Sequence, residues 1–106
     1  MKEKIAENEL VRLDDIKSRI FTIRGMQVML DSDLAYLYNV GTKNLNLAVK
    51  RNIERFPDSF RFQLIEEEYR FLRLQIETSK EKRGGRRYIP VVFTEQGVAI
   101  LSKIVI

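Results

Sequence analysis

The side chains with the most chemistry to offer in this sequence are its cations. Lys43, Lys50, Arg51 and Arg55 form one cluster; Lys80, Lys82, Arg83, Arg86 and Arg87 form another around Gly84-Gly85, broken only by Glu81. Grouped cations suit a polyanion, because each can neutralise a phosphate and arginine can grip one with two parallel N–H donors. The net charge of +4 and isoelectric point near 9.5 are too modest to identify such a partner alone. Segregation of like charge along the chain predicts one electropositive face. The acids point elsewhere. Glu66, Glu67 and Glu68 are consecutive on an expected helix, so they fan apart instead of converging on the Mg²⁺ that nuclease chemistry requires. Asp31 and Asp33 flank Ser32 at an expected helix start, where any of the three can cap free N–H groups. The sequence contains no histidine and no cysteine, which removes the commonest general base, the commonest transition-metal ligand and any disulfide or thiolate site. The expectation is a binding domain, not an enzyme, without cofactor or metal.

These groups need elements to hold them. A chain of 106 residues, 44% hydrophobic and 32% charged, suits one soluble domain. No apolar run approaches the ~20 residues needed to span a membrane, and the charged N-terminus lacks the apolar core of an export signal. The expected location is the cytoplasm. Residues 2–17 pattern as a helical extension, with Ala6, Leu10, Leu13 and Ile16 near one face, ahead of a core over 19–104. Ile20–Ile23 and Gln27–Leu30 flank Arg24-Gly25-Met26, which predicts a hairpin. Leu34–Tyr38 is a short helix, and Asn39-Val40-Gly41 a turn. Thr42 can cap a helix carrying Leu45, Val49 and Ile53, ended by Phe56-Pro57. Phe60–Leu64 alternates as a half-buried strand. Ile65, Tyr69, Leu72 and Ile76 mark a helix face. Residues 77–87 read as a loop. Tyr88–Phe93 is a strand with Pro90 at an edge or strand start, and Thr94 can cap a last helix holding Val98, Leu101 and Val105. The class is α+β: a small antiparallel sheet packed with helices. The last apolar pattern has no stop signal, so more polypeptide is expected to follow.

Residues Ser32 to Glu54 meet the steric demands of a helix-turn-helix. Ala35 is small where a second helix must cross. Asn39 tolerates positive φ at the turn. Val40 points inward, and Leu45 and Ala48, five and eight positions later, are placed for burial with Leu34 and Tyr38. Thr42, Lys43, Asn46, Leu47 and Lys50 then lie on the outer face. Such a helix can enter the major groove, about 12 Å wide, with Asn46 facing adenine and Lys43 or Lys50 facing guanine or phosphate. Arg51 and Arg55 are better placed on the DNA backbone. The same pattern equally fits two packed helices with a solvated outer face, and the spacing leaves both readings open. Arg86 and Arg87 beside paired glycines fit a phosphate-gripping arm and a solvated loop equally well. Asn52 reads as a backbone cap, and Phe60, Phe62, Tyr69 and Phe93 as core.

The stretch IRGMQVMLDSDLAYLYNVGTKNLNLAVKRNIERFPDSFRFQL, with GGRRYIPVVFTEQGVAIL downstream, closely resembles the KilA-N/Bro-N group of phage domains, in particular the ORF-six-N type. The resemblance spans about Ile20 to Leu101. Arg51-Asn52, Arg55-Phe56-Pro57, Gly85-Arg86-Arg87-Tyr88 and Thr94-Glu95-Gln96-Gly97 match its hallmarks. It implies a DNA-binding module of a phage or prophage regulator, often antirepressor-like, with its helix-turn-helix-like part on Leu34 to Ile53. Double-stranded DNA is the implied partner, through Thr42, Lys43, Asn46, Leu47, Lys50, Arg51 and Arg55 with Arg83, Arg86 and Arg87 from the basic loop. The alternative is a protein-interaction module that captures a repressor or mediates oligomerisation, for instance as a homodimer.

Overall fold

The computed structural model describes residues 13–76 and 89–105. Residues 2–12 of the expected extension, the Gly-Arg loop over 77–87 and Tyr88 of the expected last strand lie outside the described residues. Residues 13–17 form the described part of helix α1. There follow β1 (Phe21–Ile23), β2 (Met26–Leu30), α2 (Asp31–Tyr38), α3 (Thr42–Arg51), a 3₁₀ turn (Ile53–Arg55), β3 (Arg61–Gln63), α4 (Glu66–Ile76), β4 (Val91–Thr94) and α5 (Glu95–Ile104). This is the expected α+β class. The four strands make one antiparallel sheet in the order β1-β2-β4-β3.

The hairpin is set by its turn. Ile23 pairs with Met26 across Arg24 and Gly25, which both have positive φ, at 56° and 76°. A two-residue turn of that hand matches the twist of the strands it joins. Arg24 accepts the unusual backbone because its side chain is held: Nε and Nη2 donate to Glu68 Oε2 and Oε1 at 2.7 and 3.0 Å, and the guanidinium lies over the Phe62 ring. The Glu68 carboxylate also accepts the Ile65 N–H at the approach to α4.

Strand alternation sorts the core onto two sheet faces. Ile23, Val28, Leu30, Phe62 and Val92 lie on one, covered by Leu72 of α4. Met29 and Phe93 lie on the other, covered by Leu34 and Ala35 of α2, Leu45 and Val49 of α3 and Leu101 of α5, with Ile16 of α1 packed at the side. Phe56 joins this second cluster edge-to-face with Phe93, centroids 5.9 Å apart. The described helices thus sandwich the sheet. α4 stands alone on one side, and the α2–α3 pair is on the other.

Several expectations need correction. Helix α3 stops at Arg51, not at Phe56-Pro57: Asn52 Nδ2 donates to the Ala48 carbonyl at 2.9 Å, closing the helix end as expected of a cap, and the chain turns 3₁₀. Ile53 consequently leaves the buried stripe and is 48% exposed. Val49, not Ala48, is the fully buried partner of Leu45, with Ala48 half-buried. Ile65 precedes α4 and is exposed, while Phe60 and Tyr69 are half-buried at the edge of the core. Pro90 takes the strand-start alternative of its two expected places, directly before the central strand β4, where its carbonyl accepts the Leu64 N–H. The N-cap positions of α2, α3 and α5 carry no side-chain cap, although Asp31, the first residue of α2, accepts the Ser32 N–H. Leu30, Gly41 and Thr94 occupy those positions in turn. The strands run directly into α2 and α5, leaving no residue between strand and helix for a dedicated cap.

Candidate nucleic-acid interface

The candidate site is built on the α2–α3 pair. The turn is made as its residues demand: Asn39 adopts φ 61°, ψ 45°, its N–H donates to the Tyr36 carbonyl, and the Val40 N–H donates to the Ala35 carbonyl. Ala35, 2% exposed, lets α3 approach closely, and Leu45 and Val49 fill the contact. This fixes which side of α3 faces outward. Lys43, Leu47, Lys50 and Arg51 recur at three- and four-residue steps and are exposed. Arg55, on the 3₁₀ turn, is exposed as well. None of the cations Lys43, Lys50, Arg51 and Arg55 is held in an ion pair among the described residues. Other arginines are committed. Arg24 is clasped to Glu68, and Arg19 bonds Asp15 and Asp33 while lying 4.2 Å over the Tyr36 ring.

Two residues expected on the outer face are not free there. Thr42 is half-buried. Asn46 lies on the flank of α3 and turns inward: its Nδ2 donates to Asp31 Oδ2 at 2.9 Å, and its Oδ1 is buried. Asp31 is 5% exposed, and its Oδ1 accepts the Ser32 N–H at 2.7 Å. Nearby on β3, Arg61 lies on the Phe93 face with its guanidinium 5.9 Å from that ring. Burial pulls the Arg61 guanidinium below its ordinary pKa, and the charge of Asp31 acts in the opposite sense. Sequence reading missed this Asp31–Asn46–Arg61 grouping. Its members come from three elements, and only the fold brings them together.

The Thr94-Glu95-Gln96-Gly97 segment braces the far end of the sheet. Thr94 Oγ1 donates to the Ser59 carbonyl at 2.9 Å, with the Phe60 carbonyl 3.2 Å away, and the Thr94 N–H donates to the Phe60 carbonyl at 2.9 Å. Gly97 packs on that same carbonyl. A shallow groove of about 380 Å³ opens beside it, between Met26-Gln27, Ser59-Phe60 and Thr94–Gln96. The acids divide as their spacing predicts: Glu68 is drawn to Arg24, while Glu66 and Glu67 are exposed. No described helix is long and apolar enough to cross a membrane.

Comparison with known families gives a match to the ORF6N domain over residues 18–104. The chain belongs to the ORF6N domain family. No curated protein and no solved structure matches it. ORF6N is a phage-associated family, and the matched span takes in every described strand and helix from β1 to α5. In the ORF6N domain described here, Asn52 is a helix stop, Phe56 a core anchor, and Thr94 and Gly97 a brace between β4 and the turn before β3. Of the sequence-derived site residues, Lys43, Leu47, Lys50 and Arg51 share the exposed side of α3, and Arg55 is exposed on the 3₁₀ turn that follows. Asn46 is turned away from that side. Arg83, Arg86 and Arg87 lie outside the described residues.

Proposed function

We propose that this ORF6N domain binds duplex DNA, with α2–turn–α3 acting as a helix-turn-helix and α3 entering the major groove. The observation that carries the reading is the cationic strip Lys43, Lys50, Arg51 and Arg55, without ion-pair partners among the described residues, on and beside a helix whose opposite face is committed to the core. Lys43, Leu47 and Lys50 are placed for base edges, and Arg51 and Arg55 for phosphates. Arg83, Arg86 and Arg87 are proposed as a second backbone contact. The domain would serve a KilA-N/Bro-N-like, antirepressor-type phage or prophage regulator in the bacterial cytoplasm, with no catalytic step of its own. About four phosphate contacts, shared between Arg51, Arg55 and the loop arginines, give a log-log salt slope near −3.6, or roughly a hundredfold loss of affinity between 50 and 200 mM salt. Titration of labelled prophage operator DNA by fluorescence anisotropy tests this. Absence of binding at 50 mM salt refutes it.

A second reading, capture of a phage repressor protein, draws on Phe71 and Leu74. They are 55% and 68% exposed on α4, on the side of the sheet away from α3. Pull-down of a prophage repressor that survives high salt and is lost in Phe71→Ser/Leu74→Ser supports this reading; capture unaffected by that change removes it.

A further inference from the structure

We infer that Asp31 and Asn46 are positioning residues for the proposed recognition helix: their side-chain bond locks the setting of α3 on the sheet, and Asn46 does not read a base. The inference rests on the DNA-binding reading of α3.

The apolar contact between α2 and α3 is made by Ala35, Leu45 and Val49. Such a contact is non-directional and tolerates small slides and rotations. The Asp31–Asn46 bond is directional. Asp31 directly follows Leu30, the last residue of central strand β2, so its backbone is fixed by the sheet. One carboxylate oxygen accepts the Ser32 N–H, which sets the side chain, and the other accepts the Asn46 amide N–H at 2.9 Å. The geometry makes a chain of constraint from sheet to carboxylate to the middle of α3, one turn away from Lys43 and Lys50. A charge-assisted bond at a buried carboxylate is stronger than a neutral one, and its loss costs that carboxylate one of its donors. Arg61 of β3, on the far side of β4 from β2, is close enough for its charge and that of Asp31 to interact.

The pair also suggests its own rescue. Asn46→Asp sets two carboxylates against each other. Adding Asp31→Asn restores a complementary pair with reversed polarity: the new amide oxygen accepts the Ser32 N–H, and the new amide N–H donates to the carboxylate on α3.

The experiment compares the wild-type chain, Asn46→Ala, Asn46→Asp, Asp31→Asn and the double variant Asp31→Asn/Asn46→Asp. Each is titrated with a selected DNA site and with random-sequence DNA, and each is thermally unfolded without DNA. Expected for Asn46→Ala and Asn46→Asp is a fall of about tenfold in the ratio of specific to random-sequence affinity, the equivalent of one such hydrogen bond. Discrimination should weaken across the whole site, with the salt slope unchanged. The double variant should return the ratio to within about twofold of Asp31→Asn, and the thermal midpoints should show the same non-additivity. Loss confined to one base pair and not rescued identifies Asn46 as a base reader and overturns the inference. So do equal losses on specific and random DNA, which indicate folding alone, and an Asn46→Ala that leaves the ratio unchanged. Should Asn46→Asp not fold, recovery of folding in the double variant supports the lock, and its failure to recover counts against it. Absence of wild-type DNA binding refutes the DNA reading itself; the thermal cycle still decides the lock, and additive midpoints overturn it.

Discussion

Gly97 offers the sharpest test of how the fold is braced. A Cβ added there would lie 2.0 Å from the Phe60 carbonyl oxygen and 2.9 Å from its carbon, with Phe93 Cδ2 at 3.4 Å. The obstacle is backbone and cannot swing aside. It is also tied in place, because the Phe60 oxygen accepts the Thr94 N–H while the Thr94 hydroxyl holds the adjacent Ser59 carbonyl. Gly97→Ala must therefore push α5 off the sheet or break those bonds. Overpacking of this kind costs about 1–3 kcal/mol, and loosening one bond at a buried carbonyl adds about 1 kcal/mol. The expected loss is about 2–4 kcal/mol, which for a domain of this size lowers Tm by roughly 10–25 °C. Gly25→Ala is the control. Gly25 has φ 76° and nothing within 4 Å of the added Cβ, so only backbone strain of about 1–2 kcal/mol is expected. Urea and thermal unfolding followed by circular dichroism measure both. A Gly97→Ala midpoint within about 2–3 °C of wild type, or no lower than that of Gly25→Ala, refutes the argument that the Phe60 carbonyl holds α5 in register.

Further outcomes follow from single contacts. Asn52→Ala removes the bond to the Ala48 carbonyl and should cost about 1 kcal/mol in urea unfolding, whereas Asn52→Gly should cost more because of its added backbone freedom. The Arg24 hydrogen bonds hold the Glu68 carboxyl below its usual pKa, so its contribution to stability is present above the ordinary carboxylate range and is lost as pH falls through the lowered value. Burial acts oppositely on Asp33 and raises its pKa, so its contribution is present below the ordinary carboxylate range and declines as pH rises through the raised value. Glu68→Gln should therefore be less stable than wild type at neutral pH and converge with it in acid; parallel stability curves from about pH 7 to pH 3 would count against the clasp. Arg51→Ala should weaken binding to all DNA sequences and reduce the magnitude of the salt slope by about 0.9, read by anisotropy across a salt series. An unchanged slope places Arg51 off the backbone.

The α+β class, the hairpin around Arg24-Gly25, the Asn39 turn and the exposed cations of α3 were legible because each depends on local rules: residues that permit positive φ, two-residue and 3.6-residue periods, and capping amides. Asn52 as a helix stop belongs with them, since its partner is only four residues away. Boundaries were less legible. The extension of α3 toward Pro57 failed because an amide four residues from its acceptor ended the helix before proline had to. Burial was misjudged where a helix left its stripe, as at Ile53, and cap positions were misjudged where a strand ran straight into a helix, so that Leu30 stands at the N-cap of α2 and the Thr94 hydroxyl is spent on the Ser59 carbonyl.

The sequence by itself determined which residues could face a polyanion: a cationic helix face set by spacing, on a chain without histidine or cysteine. Only the tertiary structure decided which of them are available. Asn46 has the spacing of a reader, yet Asp31, fifteen residues away, draws its amide inward. Arg24 is as cationic as Lys50, yet Glu68, forty-four residues away, closes on it. Periodicity along one element specifies a direction, whereas commitment of a polar group depends on a partner that arrives from another element when the chain folds.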